Sequence, residues 1–245
     1  MQTSKNTILI TGGATGIGLA LTEQFAPTNK VIICGRREDK LLEAQARFPG
    51  VTIKVCDLKN ERERTELVGW LTKSFPELNI MINNAGIQRE VDFRTLQDIK
   101  QVSEEVEINF ITPVHLSSLL IPHLQTKPSS AIINISSGLA FTPLAIVPIY
   151  CATKAALHSY SLSLRHQLSK TNIRVFEIIP PIVETDLDKG RRDMRQQSHS
   201  GIKSEELAMQ AVEAVRNDVY EAAIGFASNL RVKREELFST INRDQ

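Results

Sequence analysis

A tyrosine and a lysine stand four positions apart in the segment YCATK at 150–154. On an α-helix this spacing places Tyr150 and Lys154 on the same face. A free phenol ionises near pH ~10 and is a poor acid–base catalyst at neutral pH. A neighbouring ammonium favours the phenolate and lowers the pKa of the phenol. We therefore expect Tyr150 to exchange a proton with a substrate oxygen while Lys154 lowers the pKa of the phenol.

A second group of residues is suited to binding a phosphate. The segment TGGATGIG at 11–18 follows a strand-like run and precedes a helical pattern. In this context Gly12 permits a tight turn, Gly16 lets the backbone approach a phosphate, and Gly18 lets the helix pack closely on the strand. The backbone N–H groups and the dipole of the helix favour an anion at its N-terminus. The pattern predicts a site for the pyrophosphate of a dinucleotide.

Both segments belong to a regular alternation of short apolar runs and longer amphipathic stretches. The apolar runs are rich in Val and Ile and predict strands at 7–11, 30–34, 51–56, 79–83, 131–136 and 174–179. The amphipathic stretches predict helices at 17–25, 38–48, 61–75, about 96–125 and 149–169. Pro113 and Pro122 are expected to bend or interrupt the helix at 96–125. This alternation predicts an α/β fold, a single Rossmann-type domain over 1–245 with a doubly wound parallel sheet and helices on both faces.

The C-terminal third departs from this regularity. The polar stretch at about 184–203 lacks periodicity, and we expect it to be a mobile substrate loop. Residues 221–225 form a candidate short strand, and a charged helix is predicted at about 229–242.

The overall composition excludes several kinds of protein. The chain has 245 residues and a formal net charge of +1, so neither nucleic acid nor an anionic membrane is expected as a partner. Cys34, Cys56 and Cys151 are scattered, which is typical of reduced thiols in a cytoplasmic protein. The sequence has no group of residues with metal-ligand spacing, so no metal is expected.

Four more segments complete a set of motifs when they are taken with the glycine loop. They are NNAG at 83–86, Asn109 within a long helix, NISSG at 134–138 and the Tyr150–Lys154 pair. Over residues 5 to 190 this order resembles the short-chain dehydrogenase/reductase family. The resemblance implies hydride transfer between a nicotinamide cofactor and a carbonyl or alcohol substrate. Residues 137–145 and 150–158 are similar, within that family, to the bacterial DltE-type oxidoreductases.

The resemblance also implies roles for particular residues. Ser137 precedes Tyr150 by 13 positions, the usual spacing in the family, and would hydrogen-bond the substrate carbonyl. Lys154 would also hold the ribose of the nicotinamide, and Asn109 would help hold a water in a proton relay. The implied catalytic set is Asn109, Ser137, Tyr150 and Lys154. The implied cofactor-binding set is Gly12, Thr15, Gly16, Ile17, Gly18, Arg36, Arg37, Asp57, Leu58, Asn84, Ala85, Gly86, Tyr150, Lys154, Ile182, Val183 and Thr185.

The end of the second strand bears on the choice of cofactor. An NAD-binding enzyme usually has an acid there, which holds the 2′-hydroxyl of the ribose. This chain has Gly35, followed by Arg36 and Arg37. A guanidinium pairs with a phosphate through two donors, so we expect NADP(H) to be preferred, with NAD(H) as the alternative and Arg36 as the main contact. The other interpretation is that both arginines are a solvated helix start.

Several features bear on the substrate and on the assembly. Phe141, Leu144, Ile146, Val147 and Ile149 lie between Ser137 and Tyr150 and predict an apolar pocket wall for a small-molecule carbonyl or alcohol, or alternatively core or dimer packing. A second set of side chains could meet an acidic substrate or form a solvated charge run: Arg191, Arg192 and Arg195. Because 229–242 differs from the family's usual ending, we expect a homodimer through the long helices rather than a tetramer.

Two other classes of function remain open at this stage. NISSG resembles the nucleophile turn of a serine hydrolase, in which Ser136 or Ser137 would attack with His158 or His166 as base, although the leading glycine is missing. The third alternative is a sensor that binds NADP(H) without turnover.

Overall fold

The computed structural model describes residues 1–185, 187 and 201–243. Its main sheet has seven parallel strands in the order β3-β2-β1-β4-β5-β6-β9. Their bounds are β1 Thr7–Thr11, β2 Lys30–Gly35, β3 Thr52–Val55, β4 Leu78–Asn83, β5 Ser130–Ile135, β6 Ile173–Ile179 and β9 Glu221–Ala223. A separate parallel pair consists of β7 Val183–Glu184 and β8 Ile202–Lys203. All six strands predicted from the sequence are confirmed, and the candidate at 221–225 is the seventh.

The sheet separates two apolar cores, which accounts for the continuous hydrophobic strands. In β1, Ile8 and Ile10 face one core and Leu9 faces the other, and all three are fully buried. Helices α1 Gly16–Phe25, α2 Glu38–Arg47 and α7 Ser204–Arg216 cover the first core. Helices α3 Glu61–Ser74, α5 Thr112–Leu124 and α6 Pro148–Gln167 cover the second. The predicted doubly wound α/β architecture is therefore confirmed.

The helix predicted at about 96–125 is interrupted by a π-helical turn. It begins at Ile99 as α4 Ile99–Val106, continues through the turn Glu107–Ile111 and proceeds as α5. Pro113, at the start of α5, has no N–H to continue the α-helical ladder. The N–H of Thr112 instead bonds the carbonyl of Glu107, five residues earlier. Pro122 lies inside α5 without ending it.

The C-terminal segment is helical but not continuous, so the prediction of one helix over 229–242 is wrong. Helix α8 Ala227–Lys233 is followed by a 3₁₀ turn, Arg234–Leu237, and by α9 Phe238–Ile241. The break occurs at Arg234, whose φ of 49° no α-helix accommodates. The hydroxyl of Thr142 donates to the carbonyl of Arg234 at 2.8 Å, which ties the break to the segment ahead of α6.

The ends of the loop predicted at about 184–203 are ordered, because β7 and β8 pair there. Residues 186 and 188–200, which include Arg191, Arg192 and Arg195, lie outside the described residues.

Candidate active site

A cavity of about 900 Å³ opens at the carboxyl edge of the main sheet. The strand order reverses between β1 and β4, and ligands of open α/β sheets bind at such a switch point. The glycine loop lines the cavity, as do Ser137, Tyr150 and Lys154. Every residue predicted to bind cofactor lines it except Gly18, and Asn109 also lies outside its lining.

The glycine loop has the backbone geometry that the sequence predicts. Gly12 and Gly16 have φ values of 65° and 54°, in the region that favours glycine. A Cβ on Gly18 would lie 2.1 Å from the carbonyl oxygen of Gly12, so only glycine allows α1 to approach this closely. Thr15, the N-cap of α1, makes no side-chain cap, so its hydroxyl does not compete for the N–H groups of the first turn. The N–H groups of the first turn of α1 are therefore suited to binding an anion.

Hydrogen bonds to the residues that follow β4 fix the position of the glycine loop. The hydroxyl of Thr11 accepts hydrogen bonds from the N–H groups of Asn84 and Ala85 at 3.0 and 3.1 Å. The side-chain amide of Asn84 donates to the carbonyls of Thr11 and Gly12 at 3.0 and 3.3 Å. The motifs at 11–18 and 83–86 therefore form one structural unit at the switch point.

The end of β2 forms an open cationic corner of the cavity. A Cβ on Gly35 would meet nothing within 4 Å. Arg36 is largely exposed and lies 3.6 Å from Glu104 on α4. Arg37 donates to the hydroxyl of Thr15 at 3.2 Å, which places its guanidinium group beside the glycine loop.

Asp57 and Leu58 line the same part of the cavity beyond β3. The N–H of Asp57 donates to the carboxylate of Glu63 at 2.7 Å, and its own carboxylate accepts from the N–H of Lys59 at 3.1 Å. A Cβ on Gly16 would lie 3.2 Å from the side chain of Thr185, so the residue that follows β7 approaches the glycine loop.

The structure brings Ser137, Tyr150 and Lys154 together at the other end of the cavity. The side chains of Ser137 and Tyr150 share a hydrogen bond, and Ser137 Oγ also accepts from the N–H of Leu139 at 3.1 Å. Lys154 Nζ donates to the carbonyl of Ile135 at 2.9 Å and lies 5.6 Å from the centre of the Tyr150 ring. The strand end of β5 and the first two turns of α6 thus position all three side chains.

Burial changes the ionisation of both members of the pair. Burial raises the pKa of Tyr150, and its hydrogen bond with Ser137 opposes this increase. Burial also lowers the pKa of Lys154 to about 8, while the charge of Glu177 acts in the opposite direction. The expectation that the pKa of Tyr150 is lowered is therefore wrong for the structure described. Loss of solvent around the phenol is the largest cause of the raised pKa, and the hydrogen bond with Ser137 offsets only part of it.

Asn109 connects three elements instead of facing the cavity. It is fully buried in the π-helical turn. Its side chain accepts from the N–H of Ile87 at 2.8 Å and donates to the carbonyl of Ile87 at 2.8 Å and to Thr153 Oγ1 at 3.1 Å. Asn109 therefore fixes the chain after β4 against α6, one residue before Lys154.

A charged cluster around the buried Glu177 lies beneath α6, and no local sequence pattern indicated it. His158 Nδ1 is 2.8 Å from the carboxylate of Glu177, which is fully buried. Potential metal-ligand atoms of His158, Glu177 and Glu221 lie within 4.8 Å of one another. Glu221 is paired with the guanidinium groups of Arg165, at 3.9 Å, and Arg231. These cations supply the positive charge that two neighbouring carboxylates require.

Among the described contacts, neither Ser136 nor Ser137 is hydrogen-bonded to a histidine, as the serine hydrolase alternative requires. His158 pairs with Glu177 and packs its ring edge-on against Phe141. The hydroxyl of Ser136 is buried and donates to the carbonyl of Ile178 at 3.4 Å. Among the described contacts, the polar partners of the Ser137 side chain are Leu139 and Tyr150, not a histidine.

The apolar wall predicted between Ser137 and Tyr150 is correct only in part. Leu144 and Ile146 line the cavity, whereas Phe141 and Val147 are buried in small apolar clusters. Three residues from the C-terminal segment complete the wall, and sequence reasoning missed them: Phe226, Leu230 and Ile241. Asn242 secures this segment, because it donates to the carbonyl of Pro143 at 3.1 Å and accepts from the N–H of Ala145 at 2.6 Å.

None of the helices within the described residues combines the length and the apolar character needed to cross a bilayer.

Comparisons with known proteins identify the family of this chain. A family model described as short chain dehydrogenase matches residues 6–196. The chain is 43% identical over 251 residues to "Uncharacterized oxidoreductase DltE" of Bacillus subtilis (strain 168), with all of both chains covered. It is similar to the closed form of a serine dehydrogenase complexed with NADP+, at 26% identity and a TM-score of 0.78, over 85% of this chain and 88% of that one. A short chain dehydrogenase/reductase from Burkholderia phymatum in complex with NAD shares the fold, at 17% identity and a TM-score of 0.86, over 95% and 94% of the two chains.

Proposed function

Because the chain belongs to the short chain dehydrogenase family, we propose that it is an oxidoreductase that prefers NADP(H) and acts on an apolar carbonyl or alcohol. The observation that carries the proposal is that one cavity joins the glycine loop to the Ser137–Tyr150–Lys154 group. The N-terminus of α1 would hold a dinucleotide, and Tyr150 would face the reacting carbon.

The residues of this chain perform the proton chemistry. A bound nicotinamide cofactor supplies or accepts the hydride. Ser137 hydrogen-bonds the substrate oxygen, and Tyr150 gives that oxygen a proton during reduction or removes one during oxidation. The buried setting strengthens both interactions, because little water competes with them. Lys154 holds ribose hydroxyls and supplies positive charge beside the phenol.

The preference for NADP(H) rests on the corner formed by Gly35, Arg36 and Arg37. A Cβ on Gly35 would meet no atom within 4 Å, so the corner is open, and Gly35 provides no carboxylate at the position that would hold a 2′-hydroxyl. The exposed Arg36 guanidinium is free to turn toward a 2′-phosphate and pair with it through two donors. The solved relatives include both an NADP+ and an NAD complex, so this proposal depends on the residues of this chain.

The substrate pocket favours an apolar molecule. Its walls include Leu139, Leu144 and Ile146 from one segment and Phe226, Leu230 and Ile241 from the C-terminal segment. Burial of a hydrocarbon group against these side chains contributes roughly 25 cal/mol for each Å² removed from water. We expect apolar ketones or alcohols to react faster than sugar phosphates.

A homodimer formed through the long helices accompanies this proposal. Ile111, at the end of the π-helical turn, and Leu162 on α6 are exposed apolar side chains on those helices. Light scattering after size-exclusion chromatography would give twice the chain mass for a dimer. The three cysteines are free thiols, which suits the proposed cytoplasmic location.

The test is a fluorescence titration of the purified protein with NADPH and NADH, followed by a panel of carbonyl substrates with the tighter cofactor. We expect NADPH to bind more tightly and apolar ketones to be turned over. Tight binding without turnover on a broad panel would favour the sensor. Hydrolysis of esters without any nicotinamide cofactor would favour the hydrolase.

A further inference from the structure

Glu104 on α4 lies at the centre of a group of three cations at the adenosine end of the cavity. Its carboxylate is 2.6 Å from Arg89, 3.6 Å from Arg36 and 3.6 Å from Lys59. The three cations come from the segments that follow β4, β2 and β3, so the parallel sheet brings them to one edge. Glu104 itself is only 19% exposed.

This group borders the space that a 2′-phosphate would enter. Arg36 and Arg89 line the cavity, and Gly35 beside Arg36 leaves an open corner. Arg89 is held firmly, because it also donates to the carbonyl of Gln101 at 3.1 Å. Arg36 is held loosely, since its side chain is 57% exposed and its distance to Glu104 exceeds that of a hydrogen bond.

The charges in this corner determine how strongly it attracts a phosphate. Within the group around Glu104, three cations and one carboxylate leave two net positive charges, and Arg37 adds a third at the same corner. A phosphate monoester carries about −1.5 to −2 at neutral pH. The carboxylate and the phosphate would compete for Arg36 and repel each other. NAD(H) has a neutral hydroxyl at that position, so the charge of Glu104 affects its binding much less.

We propose that Glu104 is a specificity-determining residue that limits the preference for NADP(H) by neutralising part of the cationic corner. This inference rests on the proposed function, because it concerns the same cofactor site. Its direct consequence is that removing the charge of Glu104 increases the selectivity for NADP(H) over NAD(H).

The experiment compares Kd values for NADPH and NADH in the wild-type protein and in Glu104→Gln, measured by fluorescence titration at low salt. Glutamine retains the shape and one acceptor oxygen but not the charge. We expect the Kd for NADPH to fall about three- to tenfold and the Kd for NADH to change less than about twofold. The effect on NADPH should decrease as salt is added.

A matched control removes one negative charge elsewhere. Glu66 pairs with Arg62 on the exposed side of α3 and not with the cations around Glu104, so Glu66→Gln should leave both Kd values unchanged. A second variant tests the opposite sign: Lys59→Gln removes a cation and should weaken NADPH selectively. This variant also provides a test if Glu104→Gln fails to fold.

The outcomes separate this inference from the proposed function. A wild-type protein that binds neither NADPH nor NADH overturns both. A wild-type protein that prefers NADPH, combined with a Glu104→Gln variant whose NADPH/NADH selectivity is unchanged or reduced, overturns the assignment of Glu104 alone. If Glu104→Gln does not fold, unchanged selectivity in Lys59→Gln overturns it.

Discussion

The ammonium of Lys154 is hydrogen-bonded to the carbonyl of Ile135 at 2.9 Å, at the end of β5. This backbone contact, rather than a direct contact with Tyr150, fixes the position of the lysine. Glu177 on β6 is the carboxylate whose charge favours the ammonium form against the effect of burial. The charge of the lysine therefore depends on a residue that faces neither cofactor nor substrate.

The first prediction concerns the titration of Lys154. Its buried ammonium should lose its proton near pH 8, whereas an exposed lysine titrates near ~10.4. Below that pH Lys154 is charged, and above it the amine is neutral and no longer stabilises a phenolate. The ¹³Cε resonance of Lys154, assigned with Lys154→Arg, would report the midpoint. A midpoint at or above pH ~10 would contradict the effect of burial.

The same resonance tests Glu177. Replacing its carboxylate in Glu177→Gln removes the charge that favours the ammonium, so the pKa of Lys154 should fall further. Glu221→Gln is the matched control, because Glu221 lies in the same cluster but is already paired with Arg231. An equal decrease in both variants would show that Glu177 has no particular influence.

The second prediction concerns the close packing of α1. In Gly18→Ala the new methyl would lie 2.1 Å from the carbonyl oxygen of Gly12, so the helix must move. We expect a loss of ~1–3 kcal/mol in the free energy of unfolding and weaker NADPH binding. Gly69 on α3 is exposed and has open space around it, so Gly69→Ala should stabilise the protein by about 0.5–1 kcal/mol. Denaturant unfolding measures both changes, and equal stabilities would refute the packing argument.

The third prediction reverses the cofactor preference. An acid introduced at the open corner in Gly35→Asp would accept hydrogen bonds from a 2′-hydroxyl and repel a 2′-phosphate. We expect the Kd for NADPH to rise at least about tenfold and the Kd for NADH to fall. Gly35→Asn, which has the same shape without the charge, is the control. If Gly35→Asn produced the same reversal, size and not charge would be responsible.

The fourth prediction tests the C-terminal wall of the substrate pocket. Asn242→Ala removes the hydrogen bonds to Pro143 and Ala145, so the segment that carries Ile241 should loosen. The KM for an apolar ketone should rise severalfold while the Kd for NADPH is unchanged. Asn229→Ala, an exposed position in the same segment, serves as the control. An unchanged KM in Asn242→Ala would remove the C-terminal segment from substrate binding.

The sequence was sufficient to predict the parts of the protein that local patterns determine. The strands, the glycine loop and the Tyr150–Lys154 spacing all depend on neighbouring residues, and the structure has them where the sequence placed them. The sequence predicted the π-helical turn only in part, because Pro113 indicated an irregularity in the helix but not its form.

The remaining features depend on contacts between distant residues. Asn242 lies 97 positions from Ala145, and Glu104 meets Arg36 and Lys59 only because the sheet is parallel. The sign of the pKa shift of Tyr150 could not be predicted either. The spacing predicts that Lys154 lies near Tyr150. The depth to which the phenol is buried is the largest influence on its pKa, and that depth is known only from the folded chain.

The most direct test of the central claim is Tyr150→Phe, which removes the phenolic hydroxyl and keeps the ring. Steady-state turnover of an accepted ketone with NADPH should fall by at least about a hundredfold, because proton transfer to the substrate oxygen is lost. The Kd for NADPH should change little, since Arg36 and the glycine loop remain. Turnover close to that of the wild-type protein would show that Tyr150 is not the proton donor and would contradict the proposed mechanism.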